Sequence, residues 1–446
     1  MTASASNYPD SRVVQPTEPR RIPSGGTVEG SITPPSSKSF THRYLNLAWL
    51  AGGGLELRRP LLAEDTRLFL RALTDSGYRL EEDLPSIHLA PGGPAPAAAR
   101  VYCGNAGTMF RFLTASLAAL PGSWTLDGSE RLRERPVGPL LAALRQLGAD
   151  ISCPVREGHA PLEIRGGSLL GGRAQLDAGE SSQYLSALLM AGQRAEKPIG
   201  IRVSALTSAP YLDLTLQAIE AFGGSVRRPT EDLFELAPGR LRNPGAVSVE
   251  GDFSAACYAA AAAALAGGEV RIHGMRSASA QGDRQFLDLL QGMGAPVAWR
   301  EEAGEEVLRV GAGELRGITA DLSRMPDQVP TLAALAPFAR GVTRIERVEH
   351  LRIKESDRLH AMATGLRRLG VPAEELPGGL VIPGVWAEGV AEDLPEVEVE
   401  THDDHRIAMS FALVGLRRPG VVVKDPQVVA KSYPSFWRDL EGLLAR

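Results

Sequence analysis

This 446-residue chain has few aromatic side chains and no excess of basic charge. Phe, Trp and Tyr together make up 5% of the sequence, and the formal net charge is −5 at neutral pH. Proteins that bind nucleic acid usually carry a basic excess, and many add aromatic side chains on which bases stack. We therefore expect no nucleic-acid partner.

Cysteine and long apolar runs are scarce as well. The three cysteines, Cys103, Cys153 and Cys257, are widely spaced and form neither a metal-binding cluster nor a disulfide framework. No apolar run approaches the roughly 20 residues of a membrane-spanning helix. Residues 1–21 carry Ser, Pro and Arg but no apolar segment typical of a secretory signal. We expect a cytoplasmic protein without membrane contact, in which residues 1–21 form a flexible N-terminal extension.

The common loops for nucleotides and the spacings for metals are also absent. No segment matches G-x-x-x-x-G-K-[ST], and no G-x-G-x-x-G joins a strand to a helix. His402 and His405 lie three residues apart, but no further His, Cys or Glu follows at ligand spacing. We expect no metal site, and any anion is expected to bind in another way.

What the sequence does contain is a regular repeat. Apolar, helix-like segments end at Gly77, Gly148, Gly223, Gly294 and Gly370, at steps of 71, 75, 71 and 76 residues. Glycine is expected where a helix ends in a left-handed conformation. A second series of polar clusters opens helix-like segments, at Lys38, Asn105, Ser181, Asp252, Asp327 and Asp404. Short alternating segments between them indicate strands. The pattern predicts six α/β units of about 70 residues, three in each of two lobes.

Several of these helix starts carry cations where helix propensity disfavours them. A cation in the first turn costs about 0.3–1 kcal/mol, because the N-terminus of a helix carries partial positive charge. Lys38, Arg43 and Arg406 are in this position, and an anion is expected to compensate them. Further cations recur in the loops before the second helices, namely Arg131, Arg133, Arg135, Lys354, Arg358, Lys424 and Lys431. Any one such run is usually a solvated face, but the recurrence predicts an anion pocket.

Together these segments resemble the 5-enolpyruvylshikimate-3-phosphate synthases from Gly25 onward. The matching motifs are Ser36-Ser37-Lys38-Ser39 with Arg43, Gly104-Asn105-Ala106-Gly107-Thr108, Arg131 to Pro136, Ser181-Ser182-Gln183, Arg352 to Arg358, Asp403-Asp404-His405-Arg406 and Lys431 to Pro434. Their order and spacing make the set far more specific than any one motif.

The resemblance implies the fold. It is an α/β, two-lobed enolpyruvyl-transferase fold of six βαβαββ repeats, three per lobe, with the active site in the cleft between the lobes. It also implies that the N-terminal strand returns to the C-terminal lobe. Lobe I would then comprise residues 22–35 and 251–446, and lobe II residues 36–250, with crossovers near Pro35 and Glu250.

The resemblance also implies the reaction. The carboxyvinyl group of phosphoenolpyruvate would pass to the 5-hydroxyl of shikimate 3-phosphate through a tetrahedral adduct, with release of phosphate and without metal or organic cofactor, in the shikimate pathway of aromatic amino-acid biosynthesis. These two small molecules would be the partners of a monomer. The implied shikimate 3-phosphate ligands are Lys38, Ser39, Arg43, Ser181, Ser182, Gln183, Ser208, Asp327 and Lys354. The implied phosphoenolpyruvate ligands are Lys38, Asn105, Gly107, Arg131, Gln183, Arg358, Arg406 and Lys431.

Two carboxylates are the candidates for the proton transfers. We assign Asp327 as the base toward the acceptor hydroxyl and Glu355 as the acid toward the vinyl carbon, with Lys38 able to shuttle a proton. A structural role for Glu355, as an ion-pair partner of Lys354 or Arg358, is compatible with this assignment.

The sequence departs from the family pattern at two positions, and two other functions compete. His350 stands where many members have Asn, and Phe112 where Pro is common. Gly107 implies inhibition by glyphosate. The first alternative, a UDP-N-acetylglucosamine enolpyruvyl transferase, typically has a Cys in the loop that here runs from Ser129 to Pro136 without one. The second, a non-catalytic anion-binding repeat protein, would have no need of the two carboxylates.

Overall fold

A computed structural model describes residues 18–93, 97–167, 169–208, 210–237, 239 and 241–445 of the chain. Within these ranges the strands form six small sheets, five of four strands and one of three. The buried apolar residues form two hydrophobic cores. One draws on positions 40–249 and defines lobe II, and the other draws on positions 22, 28 and 253–443 and defines lobe I. This is the predicted two-lobed α/β fold.

Lobe II contains three units, and the chain reaches it after two short strands that belong to lobe I. Those strands are β1 (Arg20–Arg21) and β2 (Gly30–Ile32). The first unit contains α1 (Lys38–Ala51), β3 (Leu55–Arg58), α2 (Glu64–Asp75), β4 (Tyr78–Asp83) and β5 (Ser86–Pro91). The second contains β6 (Ala98–Tyr102), α3 (Gly107–Ala119), β7 (Gly122–Asp127), α4 (Glu130–Glu134), α5 (Gly138–Gln146), β8 (Asp150–Ser152) and β9 (Leu162–Gly166). The third contains β10 (Gly172–Ala178), α6 (Ser182–Ala191), β11 (Ile199–Leu206), α7 (Pro210–Ala221), β12 (Arg227–Thr230) and β13 (Leu233–Leu236), and β14 (Ala246–Ser248) follows it.

Lobe I repeats the plan. Its first unit contains α8 (Phe253–Ala266), β15 (Glu269–Ile272), α9 (Phe286–Met293), β16 (Val297–Glu302) and β17 (Glu305–Gly311). The second contains β18 (Thr319–Asp321), α10 (Val329–Leu335), β19 (Val342–Glu346), α11 (Arg358–Arg368), β20 (Glu374–Leu376) and β21 (Gly379–Pro383). The third contains β22 (Val397–Val399), α12 (His405–Arg417), β23 (Val421–Val423) and α13 (Phe436–Gly442). Short 3₁₀ helices cover Gly192–Arg194, Gly282–Gln285, Pro326–Gln328, Ala336–Phe338, Glu349–Ile353 and Pro426–Lys431.

All six sheets share one strand order. In each four-stranded sheet the second strand of the unit is parallel to the first and antiparallel to the fourth, and the third pairs with the fourth at the edge. In the three-stranded sheet β22 and β23 are parallel, and β1 takes the place of the fourth strand. The same supersecondary unit therefore recurs six times, as the glycine spacing predicted.

The chain passes between the lobes twice, at adjacent positions. Strand β2 is the first strand of the sheet that contains β15, and β14 is the first strand of the sheet that contains β3. Between them, the backbone N–H of Ser37 donates to the carbonyl of Glu250 at 2.8 Å, and that of Asp252 donates to the carbonyl of Pro35 at 2.9 Å. The two connections thus form a paired hinge at the floor of the cleft between the lobes.

The predicted N-terminal extension is too long. Arg20 and Arg21 pair with Val423 and Val422 in an antiparallel ladder. These two residues are therefore part of a lobe I sheet and not of a flexible segment, while residues 1–17 lie outside the described part of the chain.

The first helix of each unit is buried in its lobe. In lobe II these helices are α1, α3 and α6, and in lobe I they are α8, α10 and α12. Helix α8 is rich in alanine and apolar on every side, which is typical of a helix surrounded by protein. It has 14 residues, and no helix in the described ranges is both long and apolar enough to cross a bilayer.

Candidate active site

The N-terminal ends of these six buried helices face the cleft between the lobes. Side chains cap several of them: Ser181 accepts from the N–H of Gln183, Asp252 from that of Ala255, and Asp404 from that of Arg406. Unpaired N–H groups and partial positive charge collect where helix N-termini meet, so the wall of the cleft is suited to anions.

Eleven of the sixteen predicted site residues line this cleft. They are Lys38, Ser39, Ser181, Ser182, Gln183, Ser208, Asp327, Lys354, Glu355, Arg358 and Arg406. The lining also includes residues that the sequence did not single out as ligands, namely Thr108, Arg135, Tyr211, Asp252, Ser254, Pro326 and His405. Five cationic side chains thus face three carboxylates, which leaves an excess of two positive charges. The empty space is about 700 Å³, including the part open to solvent, within the usual range for small-molecule sites.

Arg358 is the centre of a buried ion-pair network. Its side chain is 1% exposed. Its Nη1 contacts Asp327 Oδ1 at 2.9 Å, its Nη2 contacts Glu355 Oε2 at 2.9 Å, and its Nε contacts Asp404 Oδ2 at 2.8 Å. Arg406 Nη2 reaches the other oxygen of Asp327 at 2.6 Å. Both candidate carboxylates are therefore held by guanidinium groups.

This network sets the ionisation of both carboxylates. Burial alone raises the pKa of Asp327, but Arg406 and Arg358 outweigh it, so the pKa lies well below the usual carboxyl range. Burial likewise raises the pKa of Glu355, and Arg358 and Arg135 bring it far below the usual range. Both groups are ionised at neutral pH in the ligand-free cleft. Glu355 therefore has no proton to donate until something raises its pKa.

Lys354 and His350 lie in the segment that precedes Arg358. Burial lowers the pKa of Lys354 to about 8, although Asp327 opposes the shift. Burial, together with Lys354, lowers the pKa of His350 to about 4, so this imidazole is neutral. His350, which stands where many members of the family have Asn, is 6% exposed and is not among the cleft-lining residues.

Asp65, at the start of α2, joins the two lobes electrostatically. Its Oδ2 lies 3.3 Å from Nζ of Lys38 in the same lobe, and its Oδ1 lies 3.0 Å from Nζ of Lys431 in lobe I. Lys431 also donates to the carbonyl of Asn105 at 3.1 Å. Lys431 and Asn105 are outside the cleft lining but adjacent to it. Sequence analysis did not identify the Asp65 carboxylate between the two lysines, because Asp65 is at the start of the second helix of its unit and not of the first.

Gly107 is packed against Arg135. A Cβ atom added at Gly107 would lie 2.6 Å from Cζ and Nη2 of that guanidinium. Arg135 is 4% exposed, lies 3.8 Å from Glu355 Oε1, and donates to the carbonyl of Asn105 at 3.3 Å. The glycine therefore makes room for a buried cation beside the cleft.

Arg131, predicted as a phosphoenolpyruvate ligand, is not in the cleft lining. Its side chain is 35% exposed, and its guanidinium donates to backbone carbonyls of Lys354 and Glu355. Arg135, four residues later, is the arginine of this motif whose side chain enters the cleft. The sequence motif contained both residues but could not show which one pointed inward.

Arg43 lies behind the cleft wall. Its guanidinium donates to Thr215 Oγ1 and to the carbonyls of Ser39 and Tyr211, and it lies 5.3 Å from the ring centroid of Phe112. Burial lowers its pKa to about 10. The departure from Pro at position 112 thus places an aromatic ring against the cation of Arg43.

Gln183 is fixed by two residues of α3. Its Oε1 accepts from Arg111 Nη1 at 2.9 Å, and its Nε2 donates to Thr108 Oγ1 at 3.0 Å.

Tyr211 donates from its hydroxyl to Asp327 Oδ2 at 3.1 Å across the cleft. His405, which belongs to one of the matching motifs, lines the cleft. In the described residues no three His, Cys, Asp or Glu side chains converge as metal ligands.

Comparison of the whole chain with known proteins identifies its family. A family sequence model described as EPSP synthase (3-phosphoshikimate 1-carboxyvinyltransferase) matches residues 22–440. The chain belongs to the EPSP synthase family. The chain is 43% identical to the 3-phosphoshikimate 1-carboxyvinyltransferase of Syntrophobacter fumaroxidans, and the match covers 93% of the chain and 97% of that protein. It is 42% identical to that of Methanoculleus marisnigri, over 95% and 99%.

Solved structures support the same assignment. An EPSP synthase from Acinetobacter baumannii matches with a TM-score of 0.77 and 29% identity, and covers 95% of this chain and 97% of its own. The enolpyruvyl transferase NikO from Streptomyces tendae matches with a TM-score of 0.75 at 18% identity, over 96% and 98%, and shows the fold alone. The resemblance to EPSP synthases found in the sequence motifs is confirmed.

Proposed function

We propose that this chain transfers the carboxyvinyl group of phosphoenolpyruvate to the 5-hydroxyl of shikimate 3-phosphate and releases phosphate. The observation that carries the proposal is the cleft itself: eleven residues predicted from the family motifs meet between the two lobes of a chain in the EPSP synthase family. Its curated relatives are named for this transfer. The reaction belongs to aromatic amino-acid biosynthesis.

The charges of the cleft suit this pair of substrates. Each phosphate carries about −1.5 to −2 at neutral pH, so with two carboxylates the substrates bring roughly five to six negative charges. For shikimate 3-phosphate we propose Lys38, Ser39, Arg43, Ser181, Ser182, Gln183, Ser208, Asp327 and Lys354, with Tyr211 added. For phosphoenolpyruvate we propose Lys38, Asn105, Gly107, Gln183, Arg358, Arg406 and Lys431, with Arg135 in place of Arg131.

The proposed chemistry proceeds through addition and elimination. The 5-hydroxyl oxygen attacks C2 of phosphoenolpyruvate and gives up its proton to Asp327, while the vinyl CH₂ carbon receives a proton from Glu355 and becomes a methyl group. In the elimination Glu355, now a carboxylate, takes back one methyl proton while the C2–O bond to phosphate breaks, and the proton held by Asp327 leaves with the phosphate. The product is the enolpyruvyl ether, and both carboxyl groups return to their starting state. Lys38 lies beside the cleft carboxylates and is proposed to stabilise charge or to shuttle a proton.

Glu355 must acquire its proton when the substrates bind. In the empty cleft, positive neighbours keep Glu355 and Asp327 ionised. Bound phosphates and carboxylates take over the guanidinium groups and add negative charge, and both effects raise a carboxyl pKa. We propose that substrate binding thereby protonates Glu355.

The two alternative functions lack support in the cleft. None of the lining residues is a cysteine, whereas the UDP-N-acetylglucosamine enzyme typically uses one. A non-catalytic anion-binding protein would have no need of two partly buried carboxylates that both contact Arg358. We further propose that the chain acts in the cytoplasm as a monomer, since residues of a single chain assemble the cleft.

Phosphate release tests the proposal. The purified chain should release phosphate only when phosphoenolpyruvate and shikimate 3-phosphate are both present, and proton NMR should show vinyl signals of the ether product. UDP-N-acetylglucosamine should not replace shikimate 3-phosphate. Release with the sugar nucleotide would favour the first alternative, and binding of both anions without any release would favour the second.

A further inference from the structure

Arg131 belongs to lobe II but bonds mainly to lobe I. From α4 its guanidinium reaches across the cleft, where Nη2 and Nε donate to the carbonyl of Lys354 at 2.9 and 3.2 Å. Nε also donates to the carbonyl of Glu355 at 3.1 Å, and Nη2 to that of Arg352 at 3.4 Å. Nη1 contacts Glu134 in its own lobe at 2.8 Å, which orients the guanidinium plane.

The backbone that Arg131 contacts carries two side chains of the cleft. Residues 352–355 span the end of the 3₁₀ helix Glu349–Ile353, and the side chains of Lys354 and Glu355 line the cleft. Carbonyls at the end of such a helix lack intrahelical donors. A charged fork that donates to three of them fixes the direction in which the following side chains point.

The same contacts depend on closure of the cleft. Every acceptor of Arg131 named above, apart from Glu134, lies in the opposite lobe, so separating the lobes breaks these bonds. Arg131 itself remains 35% exposed and is outside the cleft lining. Its position suits contact with the protein backbone and not with a substrate.

We infer that Arg131 is a positioning residue that couples closure of the two lobes to the placement of Lys354 and Glu355. This inference rests on the proposed function, because it names how the catalytic arrangement is completed. In the open cleft the segment 352–355 lacks its support from lobe II. On closure, Arg131 fixes this segment and so brings Glu355 to the geometry in which it transfers a proton.

Arg133 offers a matched control. It lies two residues away on the same short helix, and its guanidinium bonds to Asp127 of its own lobe at 2.7 and 2.9 Å. Arg133→Ala removes the same charge from α4 without removing a contact between the lobes.

The experiment compares Arg131→Ala, Arg131→Lys and Arg133→Ala with the wild type. For Arg131→Ala we expect kcat to fall about ten- to a hundredfold, while KM for phosphoenolpyruvate changes less than about threefold. Arg131→Lys keeps the positive charge but not the forked N–H donors of the guanidinium, so it should retain only part of the wild-type kcat. Millimolar ethylguanidinium should partly restore kcat in Arg131→Ala. Arg133→Ala should behave as wild type.

Hydrogen exchange supplies the second readout. With the equilibrium mixture of substrates and products present, peptides covering 349–356 should exchange faster in Arg131→Ala than in wild type, and at the wild-type rate in Arg133→Ala. A tenfold rise in KM for phosphoenolpyruvate at unchanged kcat would make Arg131 a ligand and overturn the inference. Wild-type kcat in Arg131→Ala, or equal losses in both alanine variants, would overturn it too. An inactive wild type would instead contradict the proposed function, and exchange at 349–356 would still report on the Arg131 contact.

Discussion

Replacing Asp65 with asparagine removes one charge and almost no volume from the junction between the lobes. The carboxylate lies between Nζ of Lys38, at 3.3 Å, and Nζ of Lys431, at 3.0 Å. All three side chains are largely buried, at 4%, 15% and 8% exposure. Removing one partner of a buried pair typically costs about 3–5 kcal/mol, and we expect the lower end because the amide oxygen still accepts one hydrogen bond.

The effect should appear in the pH dependence of catalysis. Burial lowers the pKa of Lys431, but Asp65 and Glu355 outweigh it and raise the pKa above its usual value. Lys354, buried in the same cleft without a carboxylate contact at ion-pair distance, has a pKa of about 8. In Asp65→Asn the pKa of Lys431 should therefore fall toward that value. The alkaline limb of kcat/KM for phosphoenolpyruvate should then begin at a lower pH in Asp65→Asn than in the wild type.

The assay is the pH profile of kcat/KM at saturating shikimate 3-phosphate from about pH 6.5 to 10.5. Asp75→Asn is the control, because Asp75 lies on the same helix and is about half exposed, near Arg71. An unchanged alkaline limb in Asp65→Asn, or an equal loss at every pH, would refute the charge argument.

The difference in stability between the wild type and Asp65→Asn is also confined to a defined pH range. The pKa of Asp65 is lowered in the folded state and that of Lys431 is raised, so the pair stabilises the fold between about pH 4 and 10. Urea unfolding should show the difference at pH 7 and lose it as the pH falls from about 4 through the lowered pKa of Asp65.

Three further outcomes follow from the site. Gly107→Ala should raise KM for phosphoenolpyruvate about tenfold, because its Cβ would displace the Arg135 guanidinium by about 1 Å, and should leave binding of shikimate 3-phosphate alone unchanged by calorimetry; equal losses for both substrates would contradict this. Glu355→Gln and Asp327→Asn should each lower kcat at least about a hundredfold at saturating substrates, and near-normal phosphate release in either variant removes that residue from the proton transfers. Glyphosate should inhibit in competition with phosphoenolpyruvate, and a dose series at several concentrations of that substrate should show a rising KM at constant kcat; inhibition that does not depend on the substrate would contradict it.

The fold was accessible from the sequence because its determinants are local. Each unit ends a helix at glycine and opens the next buried helix at a polar cluster, and both signals depend on residues a few positions apart. These clusters contained seven of the eleven cleft residues, because the N-termini of the six buried helices converge, and the other four lie at the starts of second helices. Lys38 and Arg406 were recognised for a physical reason: a cation in the first turn of a helix is unfavourable unless an anion is near.

The sequence could not show contacts between distant parts of the chain. Arg131 and Arg135 occur in one motif, and the extended backbone after Glu134 decides that Arg135 enters the cleft while Arg131 reaches the other lobe. Asp65 contacts a lysine more than 300 residues away in sequence. The predicted end of the N-terminal extension was wrong at Arg20 and Arg21 for the same reason, since only the ladder with Val422 and Val423 makes them a strand. No local pattern specifies these partners.

Ionisation of the carboxylates follows from the balance of charge in the cleft. In the empty cleft five cations face three carboxylates, and Arg358 and Arg406 hold Asp327 and Glu355 as anions. The substrates bring roughly five to six negative charges into the same space, more than the excess of two positive charges can neutralise. Helix N-termini neutralise part of the remaining negative charge, and protonation of a carboxylate removes a further part of it. We therefore propose that the substrates themselves, through their negative charge, bring about the protonation of Glu355 that their reaction requires.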